Sequence, residues 1–145
     1  NHAKNMGASQ SGITYLNSNI AEEVKGITNH TFFKDMGNFT KAEKKNDTFS
    51  RVVLESIMTT YFLDKWKSPL KDICSFINEN LESNMLSTFK NQLDEIIGVM
   101  TDEVSKMFTS KNSFLWLATY NKFTKLNLKP ERFIEFMLEF EKPSK

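Results

Sequence analysis

Side chains able to do acid–base, nucleophilic or metal chemistry are few in this sequence. The only imidazoles are His2 and His30, and the only thiol is Cys74. A histidine zinc site needs two imidazoles about one helical turn apart, and a cysteine site needs several thiols, so neither is predicted. His30 stands beside Phe32 and Phe33 and is interpreted as a turn residue with a hydrogen-bonded or solvated ring. Cys74 falls on an apolar helical stripe, which is typical of a buried, inert thiol.

The carboxylates are also poorly placed for catalysis. Glu22 and Glu23, like Asp102 and Glu103, are neighbours in sequence, and neighbours on a helix do not face one another. The second pair falls in a predicted first turn, where the helix dipole favours negative charge. No phosphate-binding loop or nucleophile elbow occurs. We therefore predict no catalytic residue, no metal site and no cofactor.

Two lysine-rich stretches remain as candidate binding sites. One carries three lysines within residues 41–45. The other surrounds a tryptophan with cations, and its members are Lys65, Trp66, Lys67 and Lys71. Cations beside an aromatic ring are typical of surfaces that hold a nucleic-acid strand, although Asp64 and Asp72 dilute this charge. The alternative interpretation is a half-buried Trp66 covered by lysine stems.

Composition limits the classes of partner. The formal net charge is +1, from 19 basic and 18 acidic side chains, so there is no global field to attract nucleic acid. Only Arg51 and Arg132 are arginines. This scarcity argues against a dedicated DNA-reading surface, unless it reflects codon bias in an AT-rich genome. No apolar run approaches the roughly 18 residues of a membrane span, so no membrane partner is predicted.

Compartment follows from cysteine usage and the absence of a signal segment. One thiol allows no internal disulfide, and no charged-then-apolar leader is present. Glycosylation sequons begin at Asn29, Asn38 and Asn46. We interpret these sequons as unused and predict a cytoplasmic protein.

Helical periodicity recurs along the chain, whereas strand-like alternation does not persist. The first helix is predicted from Ala8 or Ser9 to about Gly26. A second, expected to be the central and most buried helix, runs from Asp47 or Thr48 to about Asp64. The prediction is an all-α fold, an irregular bundle of about six to eight helices in a single domain over residues 1–145.

Local signals mark the ends of other elements. A helix is predicted to restart with Ser68 as N-cap and Pro69 as first residue. Ser83 is expected to cap the next helix, Thr101 to open a shorter one, and Pro130 to begin the last.

The connector before the central helix breaks the regular pattern. Its apolar residues are predicted to anchor it to the core, and they are Phe32, Phe33, Met36 and Phe39. Gly37 suits the position after a helix C-cap, and Thr40 is expected to cap a short turn through Lys45.

One family is similar to this order of residues. Asn1, Met6 and Gln10 precede a Leu/Ile-striped helix, then His30-x-Phe32-Phe33 and the connector DMGNFTKAEKKNDTFSRVVLESIM at 35–58. This order resembles the back half of the ParB/sulfiredoxin-like domain found in GmrSD-type, modification-dependent restriction systems. The resemblance spans residues 1–65 and continues beyond them only as helical character.

The resemblance implies a parent protein that is a nucleotide-dependent DNA endonuclease. Its N-terminal core would carry an Asp-Gly-Gln-Gln-Arg type motif, which matches nothing here. The chain is therefore expected to be a C-terminal fragment and not itself an enzyme. We expect a helical accessory region that packs on the missing core and helps to position DNA or a partner.

Two other interpretations stay open. The chain could be a free-standing interaction module that binds a protein partner, or a second copy of itself, through a Phe- and Met-rich surface. It could also be a small enzyme with an unrecognised site, which would require a deep pocket with convergent polar groups.

Overall fold

The computed structural model describes residues 14–45, 47–66 and 69–141. These residues form nine α-helices and no strand, which confirms the predicted all-α class. The helices are α1 (Ser18–Thr28), α2 (Thr31–Asp35), α3 (Lys41–Lys45), α4 (Thr48–Tyr61), α5 (Leu70–Asn80), α6 (Ser83–Val99), α7 (Asp102–Ser105), α8 (Ser113–Lys125) and α9 (Pro130–Glu141). A 3₁₀ turn, Leu63–Lys65, follows α4. Among the helices of the described ranges, none is both long and apolar enough to cross a bilayer.

Helix α4 is the centre of the bundle, as predicted. It packs against α1, α3, α5, α6 and α8, and its contact with α8 is the most extensive in the fold. Its buried side chains are Phe49, Ser50, Val52, Val53, Leu54, Ser56, Ile57 and Met58. Burial on several sides, and not along one stripe, is what a core helix requires.

The predicted start of the first helix is wrong. The expected first residues, Ala8 and Ser9, lie outside the described part of the chain, but residues 14–16 are turn and bend, and α1 begins at Ser18 with Asn17 as its N-cap. Asn78 of α5 explains the late start. Its side chain accepts from the Asn17 N–H at 2.8 Å and donates to the Tyr15 carbonyl at 2.7 Å. These backbone groups are paired with α5 instead of with a preceding helical turn.

Two predicted caps shift by one residue. Pro69 is itself the N-cap of α5, with ψ 140°, and Leu70 is the first helical residue. The expected cap, Ser68, lies outside the described residues. Ser83 is the first residue of α6 and Glu82 the N-cap, without a side-chain capping bond. Sequence signals locate such boundaries only to within a residue or two.

Other boundaries are confirmed. The Thr101 hydroxyl accepts from the Val104 N–H at 3.2 Å and caps α7. Pro130 is the first residue of α9, where its missing N–H costs nothing. Gly37 follows the C-cap Met36 of α2 with φ +79°, the left-handed region that favours glycine.

Thr40 and Glu43 form a capping box at the start of α3. The Thr40 N–H donates to Glu43 Oε1 at 2.9 Å, and the Glu43 N–H donates to Thr40 Oγ1 at 3.1 Å. The Ser110 hydroxyl donates to the other Glu43 oxygen at 2.6 Å. This last bond, with the Thr40 N–H, holds the pKa of Glu43 below its ordinary value. One carboxylate thus caps α3 and ties it to the loop before α8.

Five phenylalanines anchor the connector to the core, as predicted for three of them. The rings belong to Phe32, Phe33, Phe39, Phe49 and Phe108, and we call them the phenylalanine cluster. Neighbouring centroids lie 4.9 to 6.5 Å apart, mostly edge to face. Such pairs add about 0.5–1.5 kcal/mol each beyond their buried area.

Alanine substitutions at two glycines should change the free energy of unfolding in opposite directions. A Cβ on Gly37 would overlap the Phe39 ring and sit at a positive φ, whereas one on Gly26 inside α1 meets nothing within 4 Å. Gly37→Ala should lower the free energy of unfolding by about 1–3 kcal/mol. Gly26→Ala should raise it by about 0.5–1 kcal/mol. Urea unfolding of the two variants tests both. A neutral Gly37→Ala would mean that the connector relaxes around the new methyl group.

Candidate functional site

Three of the four residues singled out near Trp66 lie in the described part of the chain. Lys65 ends the 3₁₀ turn, Trp66 follows it, and Lys71 lies in the first turn of α5. Lys67 lies outside the described residues. The Lys71 ammonium sits over the Tyr15 ring, 5.4 Å from its centroid. Trp66 instead stacks on Phe114, so the two described stretches contact different aromatic rings.

Trp66 is partly buried by an aromatic neighbour. Its ring centroid lies 5.9 Å from that of Phe114 on α8, with 29° between the planes. Trp66 nevertheless keeps 41% of its surface exposed. The ring is therefore held in a fixed orientation while much of it faces solvent.

A groove beside Phe114 adds cations to this aromatic pair. Its volume is about 310 Å³, and it lies between α4 and the loop before α8. Arg51 and Lys111 line it, together with Glu55, which accepts from Arg51 Nε at 3.0 Å. The Trp66 surface is defined here as the exposed Lys65, Trp66 and Lys111 together with the partly buried Arg51 and Phe114. Sequence patterns could not find Arg51 and Lys111, because only the packing of α4 against α8 brings them together.

A larger cleft opens among the first four helices. Its volume is about 590 Å³. Its lining residues are Lys25, Thr28, Asn29, Lys34, Asp35, Lys44, Asp47, Phe49 and Ser50, and together they define what we call the lysine cleft. From the lysine-rich stretch at 41–45, Lys44 lines the cleft. The other two lysines come from α1 and α2, so no local pattern indicates that the three share a cleft.

His30 is committed to structure at both ring nitrogens. As the N-cap of α2, its Nδ1 accepts from the Phe32 N–H at 3.0 Å. Nδ1 is therefore unprotonated, and Nε2 carries the hydrogen that it donates to Asp94 of α6 at 2.6 Å. The side chain is only 8% exposed. This agrees with the predicted hydrogen-bonded turn residue and leaves neither nitrogen to take a proton from a substrate.

Two further titratable side chains, Cys74 and Tyr120, are buried. Burial raises the pKa of the Cys74 thiol to about 11. Burial, and then the hydrogen bond to Glu95, raise the pKa of Tyr120, whose hydroxyl donates to Glu95 Oε1 at 2.6 Å. Over residues 14–45, 47–66 and 69–141, no group of three or more His, Cys, Asp or Glu side chains could hold a metal ion.

The Cys74 thiol should resist alkylation in the folded protein. A thiol with a pKa of about 11 is about one part in a thousand thiolate at pH 8, and the thiolate is the reactive form. Iodoacetamide labelling at pH 8, followed by mass spectrometry, should be negligible in the folded protein and complete in urea. Equal labelling rates with and without urea would contradict the buried placement of Cys74.

Comparison with known proteins adds no relative. No model of a protein family, no curated protein and no solved structure matches this chain. The similarity to the ParB/sulfiredoxin-like domain stays a prediction from the residues at positions 1–65.

Proposed function

We propose that this chain is a non-catalytic helical accessory domain of a GmrSD-like restriction or phage-defence protein, and that its Trp66 surface contacts nucleic acid. The domain packs on the catalytic core of that protein and helps to hold the DNA. The observation that carries the nucleic-acid contact is the stacked but exposed Trp66 beside a groove with two cations.

Stacking is the physical reason for a single-strand contact. Every base has a π-face, and stacking on an aromatic side chain contributes about 1–3 kcal/mol per base. Phe114 supports one face of the indole, so the ring loses little freedom when a base packs on its exposed part. The surface therefore favours an unpaired strand over a sequence-read duplex.

Charge on the Trp66 surface supports a backbone contact of modest strength. Lys65 and Lys111 are exposed, and Arg51 keeps 43% of its side chain exposed although it is bonded to Glu55. Glu55 offsets part of this charge. Binding is consequently expected to be weak and strongly salt-dependent, with few phosphates neutralised.

Trp66→Ala should weaken binding of a labelled single-stranded oligonucleotide about ten- to a hundredfold, because the stacking contact is lost. Lys111→Ala should reduce the slope of log affinity against log salt by about one. Fluorescence anisotropy at about 50 and about 200 mM salt measures both effects. The matched control is Phe140→Ala, which removes a ring on α9 that is 69% exposed. Absence of binding at low salt, or an equal loss in the control, would contradict the proposed contact.

A second candidate function, a protein-interaction module, is favoured by an apolar face on α8 and α9. The Trp116 ring meets those of Phe133, Phe136 and Phe140 edge-on, with centroids 5.3 to 6.4 Å apart. Phe140 stays 69% exposed, as does Leu126 in the connection between the two helices. Exposed apolar side chains are typical of association surfaces where they join into a patch, and the exposed Phe140 ring packs on Trp116.

Self-association through this face predicts a sedimentation coefficient that rises with protein concentration. Phe140→Ser should abolish the rise, because it removes the most exposed ring of the cluster. Leu63→Ser is the matched control. Leu63 is 59% exposed and lies on the 3₁₀ turn, which is far in sequence from α8 and α9. A monomer at every concentration would exclude self-association as the role of this face.

A further inference from the structure

We propose that the lysine cleft binds a phosphate group carried by a larger molecule. Three lysines line it, each on a different helix: Lys25 on α1, Lys34 on α2 and Lys44 on α3. Among the described lining residues the acidic ones are Asp35 and Asp47, so these residues carry a local excess of one positive charge. It shares no residue with the groove of the Trp66 surface, and the proposal does not rest on that function.

The lining charges of the lysine cleft are not neutralised by close ion pairs. The ion pairs of the described ranges between arginine and carboxylate groups are Arg51–Glu55 and Arg132–Glu135, and neither involves the cleft. The Lys44 ammonium donates to the Lys34 carbonyl at 3.2 Å, which fixes it at the cleft wall and leaves its other hydrogens available. A phosphate is the kind of acceptor that several ammonium groups can share.

Ser50 supplies a buried donor at the same place. The residue is 4% exposed and lines the cleft. The other buried serines of the described ranges, Ser56 and Ser113, each donate to the carbonyl four residues earlier, at 2.7 and 2.6 Å. The Ser50 hydroxyl has no hydrogen-bond partner among the residues that the structure describes. A buried hydroxyl without a partner is unfavourable, and a bound phosphate oxygen would satisfy it.

One of the two helix ends at the cleft, the N-terminus of α4, favours an anion. Helix α4 has 14 residues, and Phe49 and Ser50 of its first turn line the cleft. Its N-cap Asp47 makes no side-chain capping bond, so the positive end of the helix dipole is open on this side. At the opposing C-terminus of α1, the Lys25 carbonyl already accepts from the Thr28 and Asn29 side chains. Those bonds reduce the repulsion that this end would exert.

The size of the lysine cleft points to more than an inorganic ion. A volume of about 590 Å³ is in the range of pockets for small organic ligands. Asp35 and Asp47 can accept hydrogen bonds from hydroxyl or amino groups attached to the phosphate. The shared chemistry is a phosphate ester, and its two sources are a nucleotide and the backbone of a nucleic acid.

The first experiment titrates the chain with inorganic phosphate and then with adenosine monophosphate, followed by amide NMR. Saturable shifts should centre on Phe49 and Ser50. Lys34→Gln and Ser50→Ala should each weaken binding about tenfold. The matched control Lys129→Gln makes the same charge change on an exposed lysine outside the cleft and should leave affinity unchanged. Shifts that never saturate, or an equal loss in the control, would overturn the proposal.

A second titration separates the two sources. Tighter binding of adenosine monophosphate than of a short oligonucleotide supports a nucleotide. Tighter binding of the oligonucleotide, competed by phosphate and lost in Lys34→Gln, supports a nucleic-acid backbone. Because the cleft and the Trp66 surface share no residue, each can fail alone. Oligonucleotide binding that needs Trp66 but not Lys34, with no phosphate binding, would overturn only the cleft.

Discussion

Packing of the phenylalanine cluster is the constraint on which the first half of the fold depends. Phe32 and Phe33 lie on α2, Phe39 lies in the connector, Phe49 lies on α4, and Phe108 lies in the loop after α7. The Asn38 N–H also donates to the Phe108 carbonyl at 2.7 Å. Two of the four helices around the lysine cleft, α2 and α3, are only five residues long and have little helical stability of their own. The cluster holds α2 and the connector that leads into α3. The cleft therefore exists only while the cluster is packed.

Helix α4 turns this packing into two separate surfaces. Its first turn contributes Phe49 and Ser50 to the lysine cleft, and the next residue, Arg51, lines the groove beside Phe114. Both surfaces are therefore built on the same buried helix. Two side chains of types that are common in active sites, His30 and Tyr120, make hydrogen bonds between helices. His30 joins α2 to α6, and Tyr120 joins α8 to α6. The side chains of His30 and Tyr120 are each engaged in a hydrogen bond between two helices.

Much of the fold was predictable because its signals are local. Apolar spacing identified α4 as the central helix, and capping chemistry located Thr101, Pro130 and Gly37. The largest failure occurred where a distant group competes with the helix for backbone hydrogen bonds. Residues 14–17 were predicted to be helical, but the Asn78 side chain bonds the Asn17 N–H and the Tyr15 C=O from 61 and 63 residues away. Periodicity describes burial and cannot report such a competitor.

The candidate sites divide in the same way. The sequence by itself determined an all-α chain and a buried thiol, because composition and period 3.6 are properties of short segments. Only the tertiary structure decided that Trp66 stacks on Phe114, that the Lys71 ammonium lies over the Tyr15 ring, and that three lysines line one cleft. These pairings join residues on different helices. Helix crossing and the packing of α4 set them, and neither is encoded in any single segment.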